Sequence, residues 1–162
     1  MIIRDAEPAD IVQIAPFFRA IVAAGETYAY PENLSDEEIA GLWLERPPGR
    51  TFVAVDEWGS VLGSAKVAPN RPARGAHIAT ASFMVDPAAQ GRGVGRALGE
   101  EALRWAREQG YHGMQFNAVV ETNTAAVRLW QSLGFRIMTT IPEAFQHPVH
   151  GLVGLHIMYQ RF

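Results

Sequence analysis

Cysteine is absent from the sequence. That excludes a disulfide scaffold, a thiolate metal site and a cysteine nucleophile. No apolar run is long enough to span a bilayer. The start, Met1-Ile2-Ile3-Arg4-Asp5, meets charge too early for a signal peptide. Charge is sparse as well: 19% of residues carry it, and the net value is -3. A nucleic-acid module would be basic, and a disordered chain would be poorer in apolar residues. These absences lead to the expectation of a cytoplasmic protein with no nucleic-acid and no membrane partner. No metal is expected either. His147 and His150 flank Pro148-Val149, and two ligands do not make a metal site.

What is present is material for a core. The chain has 162 residues, 48% of them hydrophobic, which suits a single domain over 1–162. Ile2–Arg4 reads as a strand. Ile11, Ile14, Ala15, Phe18 and Val22 then recur at helical spacing up to Gly25. Ser35 and Glu38 form a capping-box pattern for a second helix, with Ile39, Leu42 and Trp43 on one side. Thr51–Val55 and Val61–Val67 read as a hairpin, followed by a strand over His77–Val85. Val94, Leu98, Ala102 and Ala106 mark a third helix, and Ala126, Leu129, Trp130 and Leu133 a fourth, with a strand over Met114–Val119 between them. Strands over Phe135–Ile141 and Leu152–Tyr159 close the chain, with Pro142–Gly151 expected to be irregular. The order predicts an α/β fold: a mixed sheet with helices on both faces.

The segment Asp86-Pro-Ala-Ala-Gln90-Gly91-Arg92-Gly93-Val94-Gly95-Arg96 lies between a strand and a helix. Its glycines let the backbone turn tightly and approach a ligand. The helix start offers N–H groups and a positive dipole end, a cradle for a pyrophosphate to which Arg92 and Arg96 add charge. A Walker loop is excluded, because no Gly-Lys-Ser/Thr follows. A dinucleotide fingerprint is disfavoured, because its third glycine would fall on Arg96. The pattern Gln/Arg-x-x-Gly-x-Gly/Ala fits Gln90, Gly93 and Gly95. Downstream, Asn123-x-x-Ala126 opens a helix that ends in Gly134-Phe135.

With both motifs in this order, the sequence resembles the GNAT family of acetyl-CoA-dependent N-acetyltransferases. The resemblance implies a mostly antiparallel sheet splayed between two parallel strands. It implies acetyl-CoA as cosubstrate, with the pantetheine arm pairing with backbone near Met84 and Val85. The pyrophosphate would sit over Gln90, Gly91, Arg92, Gly93, Val94, Gly95 and Arg96. Asn123 and Trp130 would flank the arm, and a backbone N–H near Val85 would hold the oxyanion. A homodimer is the assembly that small members of the family suggest.

Direct transfer must also deprotonate an amine and release a thiolate. Many relatives carry a glutamate on the strand before the loop, and this strand has no carboxylate. His77, acting through water, and Glu121 are the candidates for the base. Relatives also place an acid tyrosine where Trp130 stands, and an indole N–H donates a hydrogen bond without giving up its proton. Tyr28 and Tyr30, in the loop between the first two helices, are candidate walls of the acceptor pocket. Gln115 and Asn117 put amides on one face of a strand that would ordinarily be apolar on both. The segment from Gln115 to Trp130 also resembles fungal acetyltransferases acting on azetidine-2-carboxylate. Asn117 matches their acceptor asparagine, and Thr80 stands where they carry a second one. The expected acceptor is therefore a small amine, an amino or imino acid foremost. A domain that binds acyl-CoA without transfer, and a transferase acting on protein lysines or N-termini, are the alternatives.

Overall fold

The structure is a computed structural model that describes residues 1–162. Seven strands form one sheet: β1 (Ile2–Asp5), β2 (Arg50–Val55), β3 (Val61–Pro69), β4 (Ile78–Val85), β5 (Gly113–Val120), β6 (Arg136–His147) and β7 (Gly151–Arg161). Their spatial order is β1-β2-β3-β4-β5-β7-β6. Every neighbouring pair is antiparallel except β4 and β5, which are parallel. This is the mixed sheet expected from the element order.

Four helices cover it: α1 (Ile11–Ala24), α2 (Asp36–Trp43), α3 (Val94–Glu108) and α4 (Thr124–Ser132). Alternation along β2 assigns the two faces. Phe52 and Ala54 join Val94, Leu98 and Ala102 of α3 in one buried cluster, together with Trp130 of α4. Val53 and Val55 join Ile14, Phe18, Ile39 and Trp43 of α1 and α2 in the other. Gly63 lets α3 lie close to the sheet, because a Cβ there would meet the Met84 carbonyl at 2.8 Å and Val94 at 3.0 Å.

The capping box of α2 forms as expected. Glu38 N–H donates to Ser35 Oγ, and Ser35 N–H donates to the Glu38 carboxylate. Leu42, expected beside Ile39 and Trp43, is instead exposed. The irregular stretch expected over Pro142–Gly151 is also corrected. β6 runs on to His147, and only three residues turn before β7. As an edge strand, β6 needs no ladder bond from Pro142 on its open side. A register shift between Ile141 and Phe145, with Glu143 at φ 53, absorbs the mismatch. His147 closes the turn, its Nδ1 accepting from the N–H groups of Val149 and His150. No helix is long and apolar enough to cross a membrane.

Candidate active site

The site starts where pairing stops. β4 and β5 are in register only at Ile78↔Gly113 and Ala79↔Met114. Beyond that they diverge, and β5 continues against β7. Hydrogen bonds on either side settle which backbone groups face the gap. Asp86 N–H donates to the Leu62 carbonyl, and the Ile78 carbonyl accepts from Asn70, so even-numbered residues of β4 address the β3 side. Odd-numbered ones address β5, as His77 does through its carbonyl and His112 N–H. Ala81, Phe83 and Val85 therefore turn N–H and C=O into the gap. The Val85 backbone faces the gap. Met84 does not: its backbone pairs with Ser64 of β3, and its side chain is buried among α1 and α2. Phe83 is the residue that sequence reasoning passed over.

The glycine-rich turn expected to cradle a pyrophosphate follows directly on Val85. Asp86 Oδ1 accepts from Ala88 N–H and starts a short 3-10 turn over Pro87–Ala89. Gly91 and Gly93 take φ 76 and 78, which side-chain-bearing residues rarely adopt. Gly93 leads into α3 with no side chain capping the helix, so the first-turn N–H groups are left for a ligand. Gln90 and Arg92 are exposed, and Arg92 makes no ion pair. Arg96 is partly committed: it donates to Ser132 Oγ of α4 at 2.8 Å and lies 3.6 Å from Glu100. Val94 contributes only backbone, since its side chain is in the core. Gly95 lies between Leu129 and Val85. Asn123 caps α4 through Ala126 N–H, which leaves its side-chain NH2 free. These residues fit a pyrophosphate with an amide-bearing arm. The open strand edge supplies the ladder partners that such an arm needs.

The floor of the gap is aromatic. Trp130 lies 4.6 Å from the Phe83 ring and 5.0 Å from Phe116, centroid to centroid. Its six-membered ring presses on α3 at Gly99, where a Cβ would stand 3.0 Å away. Its contacts here are packing contacts.

The opposite face is polar. Asn117 Nδ2 donates to Asn70 Oδ1 at 2.7 Å and reaches Thr80 Oγ1 at 3.5 Å. Asn117 Oδ1 accepts from Gln115 Nε2 at 2.8 Å. Thr80, Gln115 and Asn117 are thus brought together beside the gap. Asn70, from the β3–β4 loop, joins them, and no signal in its own segment announces that.

Tyr28 enters from the same face, and its hydroxyl meets the backbone of Phe83. Burial pushes its phenol well above the ordinary tyrosine value. Tyr30 stacks on Tyr28 at 5.6 Å and packs against Phe18, so it supports the wall from behind.

The two expected bases are not in the gap. His77 is exposed at the closed end of β4, about 20 Å of strand from Phe83. Glu121 accepts from Gly154 N–H of β7, on the side of β5 away from β4. Its carboxylate serves as a strand-end tie.

Residues 15–135 match the acetyltransferase (GNAT) family. A solved GCN5-related N-acetyltransferase from Kribbella flavida is 60% identical with a TM-score of 0.97, covering 99% of this chain and 97% of that one. The structure of yncA, a putative acetyltransferase from Salmonella typhimurium with its cofactor acetyl-CoA, is 26% identical with a TM-score of 0.84, covering 99% of this chain and 93% of that one. Among curated proteins, the L-amino acid N-acyltransferase MnaT of Escherichia coli is 30% identical over 88% of this chain and 84% of its own length. Other relatives are longer. The match to N-acetyltransferase aca1 of Schizosaccharomyces pombe, 33% identical over 71% of this chain, spans 56% of that protein.

Proposed function

The chain belongs to the acetyltransferase (GNAT) family, and from that premise we propose that it moves the acetyl group of acetyl-CoA directly to the primary or secondary amine of a small molecule, an amino or imino acid. One observation carries the choice of acceptor: the amide cluster of Asn70, Gln115 and Asn117 with Thr80, set beside the gap on the α1–α2 face. Neutral amides hold a carboxylate through N–H donors and an amine through carbonyl acceptors, without adding charge to the pocket. The similarity to an L-amino acid N-acyltransferase agrees with this class.

When bound, acetyl-CoA supplies an acetyl thioester. In this reading the Gly91–Arg96 turn and the start of α3 hold the pyrophosphate. Val85 would pair with the arm, and a gap-facing N–H of β4 would take the charge that develops on the acyl oxygen. The amide cluster presents the amine from the other face, so that attack needs little further ordering. The homodimer expected from the resemblance belongs to the same proposal, and sedimentation measures it.

The deciding experiment is acetyl-CoA-dependent release of free thiol across a panel of amino acids, imino acids, polyamines and lysine peptides. Turnover confined to amino or imino acids supports the proposal. Turnover only on peptides or polyamines overturns the acceptor class. Binding of acetyl-CoA without thiol release on any amine favours a binding domain, and the lack of a carboxylate or imidazole in the gap would then be its explanation.

A further inference from the structure

The Tyr28 hydroxyl accepts from Phe83 N–H at 2.9 Å and donates to the Phe83 carbonyl at 2.7 Å. One hydroxyl thereby takes both groups of a gap-facing residue, as a neighbouring strand would have done. The ring is held by Tyr30, stacked at 5.6 Å, and by Trp43, edge-on at 6.3 Å. The side chain comes from the loop between α1 and α2, on the face that carries Thr80, Gln115 and Asn117. Its hydroxyl lies against the open edge of β4.

Its depth in the gap matters. From the phosphate cradle inward, the gap-facing residues run Val85, Phe83, Ala81. In the acetyl-transfer reading, an arm held at Gly91–Arg96 would pair first with Val85, which would bring its reacting end toward Phe83. No imidazole or carboxylate stands there. His77 is at the closed end, Glu121 is tied to β7, and Trp130 holds its indole proton. Thr80 and Ser82 have hydroxyls on the same face, but neither one is hydrogen-bonded to the gap-facing backbone, and the Ser82 hydroxyl adjoins the Tyr28 phenol.

We propose that Tyr28 is a catalytic residue that relays the proton from the acceptor nitrogen to the departing sulfur; this rests on the acetyl-transfer reading above. The neutral amine attacks the thioester carbon, so a C–N bond forms and the nitrogen becomes cationic. The phenol oxygen takes one proton from that nitrogen while its own proton passes to sulfur. The C–S bond breaks, the acyl oxygen returns to a carbonyl, and the products are the amide, the thiol and an unchanged tyrosine. Rotation about the phenol C–O bond is enough to redirect the proton from the Phe83 carbonyl to a group in the gap. Donation from Phe83 N–H polarises the hydroxyl and strengthens it as a donor. Burial keeps the phenol protonated, which suits a relay that passes through no free phenolate.

The test is Tyr28→Phe, which keeps the stacked ring. Three quantities are compared with wild type: kcat, the affinity for acetyl-CoA and for CoA by calorimetry, and the fraction of bound CoA present as thiolate at fixed pH, from its ultraviolet absorbance. The expected result is a fall in kcat of about 100-fold or more, with both affinities within about threefold. Less bound thiolate is also expected, because its hydrogen-bond donor is gone. The solvent deuterium isotope effect on kcat should shrink as well. A variant that keeps kcat within about twofold, or that loses activity only in proportion to lost cofactor affinity, overturns the relay. Wild-type protein that binds no acetyl-CoA, or transfers to no amine, would instead sink the acetyl-transfer reading itself.

Discussion

Asn117 donates its side-chain N–H to the side-chain oxygen of Asn70 at 2.7 Å, although 47 residues separate them. With Gln115 donating to the Asn117 oxygen at 2.8 Å, the Asn117 amide is engaged at both ends. The amide groups of the cluster left without a partner are then the NH2 of Asn70 and the side-chain carbonyl of Gln115. These are a donor for a carboxylate and an acceptor for an amine.

Asn117→Ala and Asn70→Ala should each lower kcat/KM for the best amino-acid acceptor by roughly 5- to 20-fold, the worth of one or two hydrogen bonds. Acetyl-CoA affinity should stay unchanged. Asn117→Asp should be worse than Ala, because it sets a carboxylate beside the acceptor's own. Steady-state kinetics with both substrates varied make the check, and unaltered acceptor kinetics would remove the cluster from the site.

Gly93→Ala separates backbone conformation from steric clash. Nothing lies within 4 Å of the Cβ it would add, yet φ is +78. The cost to the unliganded fold should be about 1–2 kcal/mol. The stabilisation by CoA should drop much further, since the turn that aims the helix N–H groups is distorted. Thermal melts with and without CoA measure both, and an undiminished CoA shift in the variant contradicts the cradle.

Trp130→Phe should keep kcat within a few-fold, because the indole packs and does not transfer a proton. It should cost roughly 1–3 kcal/mol of stability from the space opened beside Gly99 and Phe83. Loss of several orders of magnitude in kcat, in a folded variant that binds CoA, would restore a chemical role to this position.

Asp10 accepts two hydrogen bonds from Arg4, at 2.7 and 2.8 Å, and a third from Glu7 N–H at 2.7 Å. The Arg4 hydrogen bond foremost holds its carboxyl below the ordinary value. A depressed carboxylate stabilises the fold above its unfolded pKa of about 4 and stops doing so as pH falls through the folded value. Asp10→Asn should cost about 1–2 kcal/mol near neutrality, a figure kept low because Arg4 is partly in water. Denaturant melts of the two proteins should converge in strong acid. A difference that persists there would mean that shape, and not charge, is what Asp10 contributes.

Local chemistry in the sequence decided a good deal. Helical spacing placed α1, α3 and α4, the Ser35–Glu38 pair started α2, and Gly91, Gly93 and Gly95 marked a glycine-rich turn into α3, because each of these depends on residues within a few positions of one another. Strand parity also put Gln115 and Asn117 on one face. Register was beyond its reach. Only the pairing of β3 with β4 turns Phe83, and not Met84, toward the gap. Only the divergence of β4 from β5 leaves His77 at the closed end. Glu121 is tied to Gly154, Asn70 is delivered to Asn117, and Tyr28 reaches a backbone 55 residues away. Such contacts follow from how sheet and helices close on one another, and a one-residue slip of β4 would exchange its gap-facing and β3-facing groups, so tertiary packing alone selects them.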